Sequence, residues 1–102
     1  MIREFNSLDE IQKYYNKETN TYIFKENGEY IDLIKFNFDL NIESNIKAVN
    51  IKAVNINAND IKCRSIRALN INAKDINAYE IDAYTIKAKK INADYVAYCF
   101  RY

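Results

Sequence analysis

Large apolar residues recur every five positions along the C-terminal half of the chain, and a small residue follows each of them two positions later. The large residues are Ile46, Ile51, Ile56, Ile61, Ile66, Ile71, Ile76, Ile81, Ile86, Ile91 and Val96. The small residues are Ala48, Ala53, Ala58, Cys63, Ala68, Ala73, Ala78, Ala83, Ala88 and Ala93. A five-residue period fits neither the α-helix, which turns once in 3.6 residues, nor a flat strand, whose side chains alternate between faces. The pattern therefore predicts a solenoid in which the chain turns a corner once per pentad and directs both residues inwards.

The first part of the chain, residues 1–41, lacks this period and is predicted to form a cap. Ser7 and Glu10 have the spacing of a capping box, which predicts a helix over about residues 7–16. Residues 21–35 are rich in β-branched and aromatic residues on both sides of Asn27 and Gly28, which predicts a β-hairpin. We expect this segment to cover one end of the solenoid, because an uncovered end exposes unpaired strand edges.

The solenoid is predicted over residues 42–102. Strict alternation of apolar and polar residues from Phe36 to Ser44 predicts a strand that leads into the first pentad. Asparagine or aspartate precedes most of the isoleucines, as at Asn50 and Asp60. These residues either adopt turn conformations at the corners or stack as hydrogen-bonded ladders, and the sequence leaves both roles open.

The repeat resembles that of the pentapeptide-repeat family, whose unit is written A(D/N)LXX. The similarity covers about residues 36–100, although here the large residue comes first, as in Ile51-Lys52-Ala53. The resemblance implies a mainly β fold, a right-handed quadrilateral β-helix with four pentads per coil. Residue n would then lie beneath residue n+20, which would align Ile46 with Ile66, and Ile51 with Ile71.

The C-terminus departs from the pattern with aromatic residues. Tyr98 stands where the repeat has alanine, and Phe100 and Tyr102 continue the same parity, while Tyr95 has the opposite one. A tyrosine in a small-residue position fits only at an open end of the coil. These four residues are therefore predicted either to plug the last coil or to form a self-interface, and the two roles overlap. The resemblance favours a homodimer, because members of the family dimerise through their C-terminal coils.

Charge is nearly balanced overall, at +1, but it is divided along the chain. Residues 1–45 contain five basic and nine acidic side chains, and the remainder contains ten basic and five acidic. With four pentads per coil, one face would carry a basic group, which predicts either a solvated surface or a site for a polyanion such as nucleic acid. The group consists of Lys47, Arg67, Lys87, Lys89 and Lys90.

Catalytic chemistry has little support in the sequence. The chain contains no histidine and one glycine, so the commonest general base and glycine-rich phosphate loops are absent. Cys63 and Cys99 lack metal-binding spacing, and neither a signal-peptide pattern nor a long apolar run is present. We therefore expect a cytoplasmic, non-enzymatic structural or protein-interaction module with no cofactor and no metal, and polyanion binding is the alternative function.

Overall fold

The described part of the chain forms β-strands, most of them in parallel pairs, and one short helix. The fold comes from a computed structural model, which describes residues 2–101, with side chains for residues 2–97. The strands are β1 (Ile2–Phe5), β2 (Tyr15–Asn16), β3 (Thr21–Ile23), β4 (Lys25–Glu26), β5 (Glu29–Tyr30), β6 (Leu33–Phe36), β7 (Leu40–Asn41), β8 (Asn45–Lys47), β9 (Asn50–Lys52), β10 (Asn55–Asn57), β11 (Asp60–Lys62), β12 (Ser65–Asn77), β13 (Glu80–Asn92) and β14 (Tyr95–Arg101). A 3₁₀ helix spans Leu8–Tyr14.

The predicted β-solenoid is confirmed, but its coil contains three pentads instead of four. Ile56 pairs with Ile71, and every other neighbouring pair of pentads is also offset by 15 residues. The quadrilateral cross-section and the n to n+20 alignment are therefore wrong. The error has a simple physical origin. Because the same pentad builds every face, the five-residue period specifies one corner per pentad but not how many corners close a coil.

Each coil has three faces. On each face, the inward side chains of successive coils lie one above another and form a column. Face A contains Ile34, Ile51, Ile66, Ile81 and Val96. Face B contains Leu40, Ile56, Ile71 and Ile86. Face C contains Tyr22, Ile46, Ile61, Ile76 and Ile91. Apart from Ile91 and Val96, near the C-terminal end, all of these residues are buried.

The asparagines before the isoleucines form ladders between coils. On face B, Asn55 Nδ2 donates to Asp39 Oδ1 at 3.0 Å, and Asn70 Nδ2 donates to Asn55 Oδ1 at 2.6 Å. The Thr85 hydroxyl donates to the Asn70 side-chain oxygen. None of these ladder residues has a positive φ. Of the two roles that the sequence left open, the ladder is the one that these residues adopt.

The N-terminal helix is shorter than predicted and is a 3₁₀ helix. It covers Leu8–Tyr14 instead of residues 7–16. The Glu10 carboxylate accepts hydrogen bonds from the Asn6 backbone N–H at 3.3 Å and the Ser7 hydroxyl at 3.4 Å. Ser7 makes no side-chain hydrogen bond to the helix backbone, and Glu10 accepts from the N–H of Asn6 instead of that of Ser7, the N-cap residue. The predicted capping box is therefore replaced by a different set of hydrogen bonds around Glu10.

The predicted hairpin is present, but it is confined to β4 and β5. Asn27 and Gly28 have φ values of 53° and 80°, and positive φ at both central residues is what a type I′ turn requires. The strands on either side belong to the solenoid, because β3 pairs with β8 and β6 pairs with β9. With β7 on face B, they build a first coil, so sheet pairing continues across the boundary predicted between residues 41 and 42.

An aromatic cluster closes the N-terminal end of the core. The rings of Phe5, Tyr14 and Phe36 lie 5.1–5.9 Å from the Phe24 ring, between centroids, and Phe24 has no exposed surface. The Tyr14 hydroxyl donates to Glu26 Oε1 at 2.5 Å, and the Arg3 guanidinium contacts the same oxygen. Burial, followed by the hydrogen bond to Glu26, raises the pKa of Tyr14 to about 12. The hydroxyl therefore remains a proton donor at neutral pH and holds the hairpin against the helix.

Candidate interaction surfaces

As far as the structure describes the two ends of the solenoid, apolar core residues are more exposed at the C-terminal end than at the N-terminal end. Among the described residues, β14 pairs with β13 along one edge and has no partner along the other. Val96 is 37% exposed, whereas Ile81, its neighbour in the same column, is fully buried. Ile91 and Ala93 are also only partly buried. The last coil therefore presents both apolar side chains and an unpaired strand edge.

At the unpaired edge, backbone N–H and C=O groups of β14 point towards the position that another strand would occupy. The Tyr95 N–H donates to the carbonyl of Tyr79 in the coil below, at 3.0 Å. Successive residues of a parallel strand bond to opposite neighbours, so the N–H and C=O of Val96 point to the open edge. Residues 95–100, YVAYCF, contain no charge, proline or glycine that would discourage pairing.

The four residues predicted as a self-interface all belong to this end of the chain. Tyr95 is 61% exposed, and its ring packs edge-on against Tyr79, with centroids 5.3 Å apart. Tyr98 and Phe100 are in β14, in register with Ala83 and Thr85. Their side chains, and the whole of Tyr102, lie outside the described residues. The backbone thus places Tyr98 next to Ala83 of the preceding coil, at the end that the sequence pattern predicted to be open.

Of the five residues of the predicted polyanion face, Lys87 and Lys89 are brought together, but Lys47 and Arg67 lie apart from them. Lys47 lies on face C, Arg67 on face A and Lys87 on face B, because a 15-residue coil separates residues that a 20-residue coil would align. Arg67 Nε lies 3.6 Å from Asp82 Oδ2, so its charge is already compensated. Lys89 and Lys90 follow Lys87 around the next corner and do not join Lys47 or Arg67.

A basic cluster forms at the corner between faces B and C, where Lys74, which the sequence analysis missed, joins Lys87 and Lys89 of the predicted group. Lys74 and Lys89 occupy equivalent positions in successive coils, between the register pairs Ala73–Ala88 and Asp75–Lys90. Lys74, Lys87 and Lys89 line a cavity of about 350 Å³. The 15-residue spacing of Lys74 and Lys89 was visible in the sequence, but it did not indicate a shared surface until the length of the coil was known.

An exposed apolar corner between faces A and B was also missed. Val54, Leu69 and Tyr84 succeed one another at intervals of 15 residues, and each is about half exposed. The Leu69 N–H donates to the Val54 carbonyl at 2.9 Å, which keeps these positions in adjacent coils.

The described residues provide little for catalysis or metal binding. Cys63 lies in the small-residue column as predicted, and burial raises the pKa of its thiol to about 12, so it is not a nucleophile at neutral pH. No group of three or more potential metal ligands occurs among the described residues. Within the same range, no helix has the length and apolar character needed to cross a membrane.

Comparisons with protein-family models, curated proteins and solved structures find no match to this chain.

Proposed function

We propose that this protein is a non-enzymatic structural or interaction module that forms a homodimer through its C-terminal coil. The observation that carries the proposal is the difference between the two ends of the solenoid. The N-terminal end is covered by the 3₁₀ helix and the aromatic cluster, whereas Val96 and the free edge of β14 are exposed at the other end.

A second copy of the chain is the partner that fits this edge. Natural sheet edges usually carry lysine, proline or a bulge to prevent pairing, and residues 95–100 carry none of the charges or prolines that would do so. Two C-terminal coils related by a two-fold axis would bury both edges in one isologous contact. At the N-terminal ends the aromatic cluster buries the core, and the outer strand β1 carries Arg3 and Glu4, which would disfavour further edge pairing and stop the assembly at two copies.

The family relationship and the location of the protein belong to the same proposal. The five-residue period supports a kinship with pentapeptide-repeat proteins, and the three-pentad coil distinguishes this chain from their four-pentad coil. A cytoplasmic location agrees with Cys63, which occupies a position suited to a small apolar residue and is not placed there to form a disulfide.

The test is the solution mass of the wild type and of Ala97→Lys. Ala97 is exposed and follows inward Val96, so a lysine there adds a charge to the free edge without changing the core. Edge pairing of two copies would bring two additional positive charges into the contact, which disfavours it. Light scattering with size-exclusion chromatography should give the wild type a mass near twice 12.0 kDa, and the variant a mass near 12.0 kDa.

Asn77→Lys is the matched control. Asn77 is exposed and follows inward Ile76, but it lies one coil below the open end, beside Asn92. The Asn77→Lys substitution should leave the dimer intact. The wild type and both variants should unfold cooperatively on heating. A wild type that is monomeric up to millimolar concentration would refute the proposal, as would a dimer that survives Ala97→Lys.

A further inference from the structure

A shallow trough runs along face B, parallel to the solenoid axis. Two columns of outward side chains border it, and the strand backbones form its floor. One column contains Asp39, Asn55, Asn70 and Thr85, and the other contains Asn41, Asn57, Asn72 and Lys87. The trough has a volume of about 410 Å³, which is within the range of ligand sites in proteins.

The two columns differ in how far their hydrogen-bonding groups are satisfied. Asn55 and Asn70 are bonded within the ladder. Asn57 and Asn72 are exposed and make no side-chain hydrogen bond to another described residue. Each offers one amide donor group and one carbonyl acceptor, and neighbouring strands repeat the pair about every 4.8 Å. Such a row suits a ligand with regularly spaced groups that can each donate and accept a hydrogen bond.

The trough joins the lysine cluster at its C-terminal end. Asn72 and Lys87 line both the trough and the cavity at the corner between faces B and C. The ion pairs found among the described residues do not include Lys74, Lys87 or Lys89. Asp39, at the far end, lies three strand spacings from Lys87, or about 14 Å. Asp75 is the nearer carboxylate, because it follows Lys74 and is in register with Lys90. The three lysines and Lys90 outnumber it, so the corner keeps an excess of positive charge.

We propose that face B and the adjoining lysine cluster bind an acidic oligosaccharide. Sugar hydroxyl groups would pair with the amides of Asn57 and Asn72, and a carboxylate or sulfate would lie against Lys74, Lys87 and Lys89. Single-stranded nucleic acid fits less well. It is bound by stacking bases on aromatic rings, and no described aromatic residue lines either cavity. The site lies on the side of the solenoid and does not depend on the proposed dimer.

The test is a titration with a short galacturonic acid oligomer at low salt, followed by NMR. The side-chain amide signals of Asn57 and Asn72 should shift with the oligomer, and the neutral galactose oligomer of equal length should need a clearly higher concentration to produce the same shift, because it lacks the charges that contact the lysines. Changing Lys74, Lys87 and Lys89 together to glutamine should weaken binding about tenfold, because each exposed ion pair contributes a small part of the affinity.

The matched control changes Lys47, Lys52 and Lys62 together to glutamine, which removes the same charge from faces A and C. It should alter the affinity by less than about twofold. Equal weakening in both variants would mean that binding is unspecific charge attraction, and would overturn the proposal. Absence of any shift with the acidic oligomer would also overturn it, as would tighter binding of an oligothymidylate of equal charge.

Discussion

Phe24→Ala is expected to lower the free energy of unfolding by about 3–5 kcal/mol, as measured by urea denaturation. Phe24 is fully buried and lies at the centre of the aromatic cluster, in contact with Phe5, Tyr14 and Phe36. Its removal leaves a cavity between the hairpin and the first coil. Phe5 and Phe36 belong to β1 and β6, which are paired with each other and, through β6, with β9, so their rings cannot collapse into this cavity without disturbing that pairing.

The same substitution should also change the assembly. A loosened cap exposes the edge of the first coil, so stacking would no longer stop at two copies, and light scattering should detect larger species. Tyr30→Ala is the control, because Tyr30 is only partly buried and its ring contacts the Lys25 ammonium at 4.6 Å. We expect it to cost about 1 kcal/mol or less. Equal losses in the two variants would show that Phe24 has no special role in the cap.

Ile71→Ala is expected to cost about 2–5 kcal/mol. Ile71 is 2% exposed and lies between Ile56 and Ile86 in the column of face B. The spacing of the coils is fixed by backbone hydrogen bonds, so neighbouring side chains cannot move along the axis to fill the space.

Leu69→Ala provides the comparison within the same strand. Leu69 is two residues from Ile71, but it is 50% exposed at the corner between faces A and B. Its loss should change stability by no more than about 0.5 kcal/mol. The two variants therefore separate burial from mere removal of an apolar side chain, and similar losses from both would contradict the inward assignment of Ile71.

The five-residue period predicted the inward residues correctly. Ile46 through Ile86 are all buried, and so are most of the alanines two positions later. This was possible because which residues of a pentad point inwards depends only on the pentad itself. The Asn27-Gly28 turn was equally local, since it depends on the positive φ of two adjacent residues.

The number of faces could not be predicted from that period. The predicted basic face was therefore wrong, because it assumed four pentads per coil. Coil closure is a long-range property, which depends on how residues 15 apart in sequence fit together. Asn55, Asn70 and Thr85 carry that information, because their side chains bond only when three pentads complete a coil. Once the coil length is known, Lys74 and Lys89 align and Lys47 separates from Lys87.

The coil of three pentads is the central claim, because it decides which residues share a surface. Nuclear Overhauser contacts between backbone protons of neighbouring strands test it directly. The structure predicts contacts that link Ile56 with Ile71 and Ile61 with Ile76. Contacts that link Ile56 with Ile76 instead would mean four pentads per coil, and would contradict both the faces described above and the oligosaccharide site built on them.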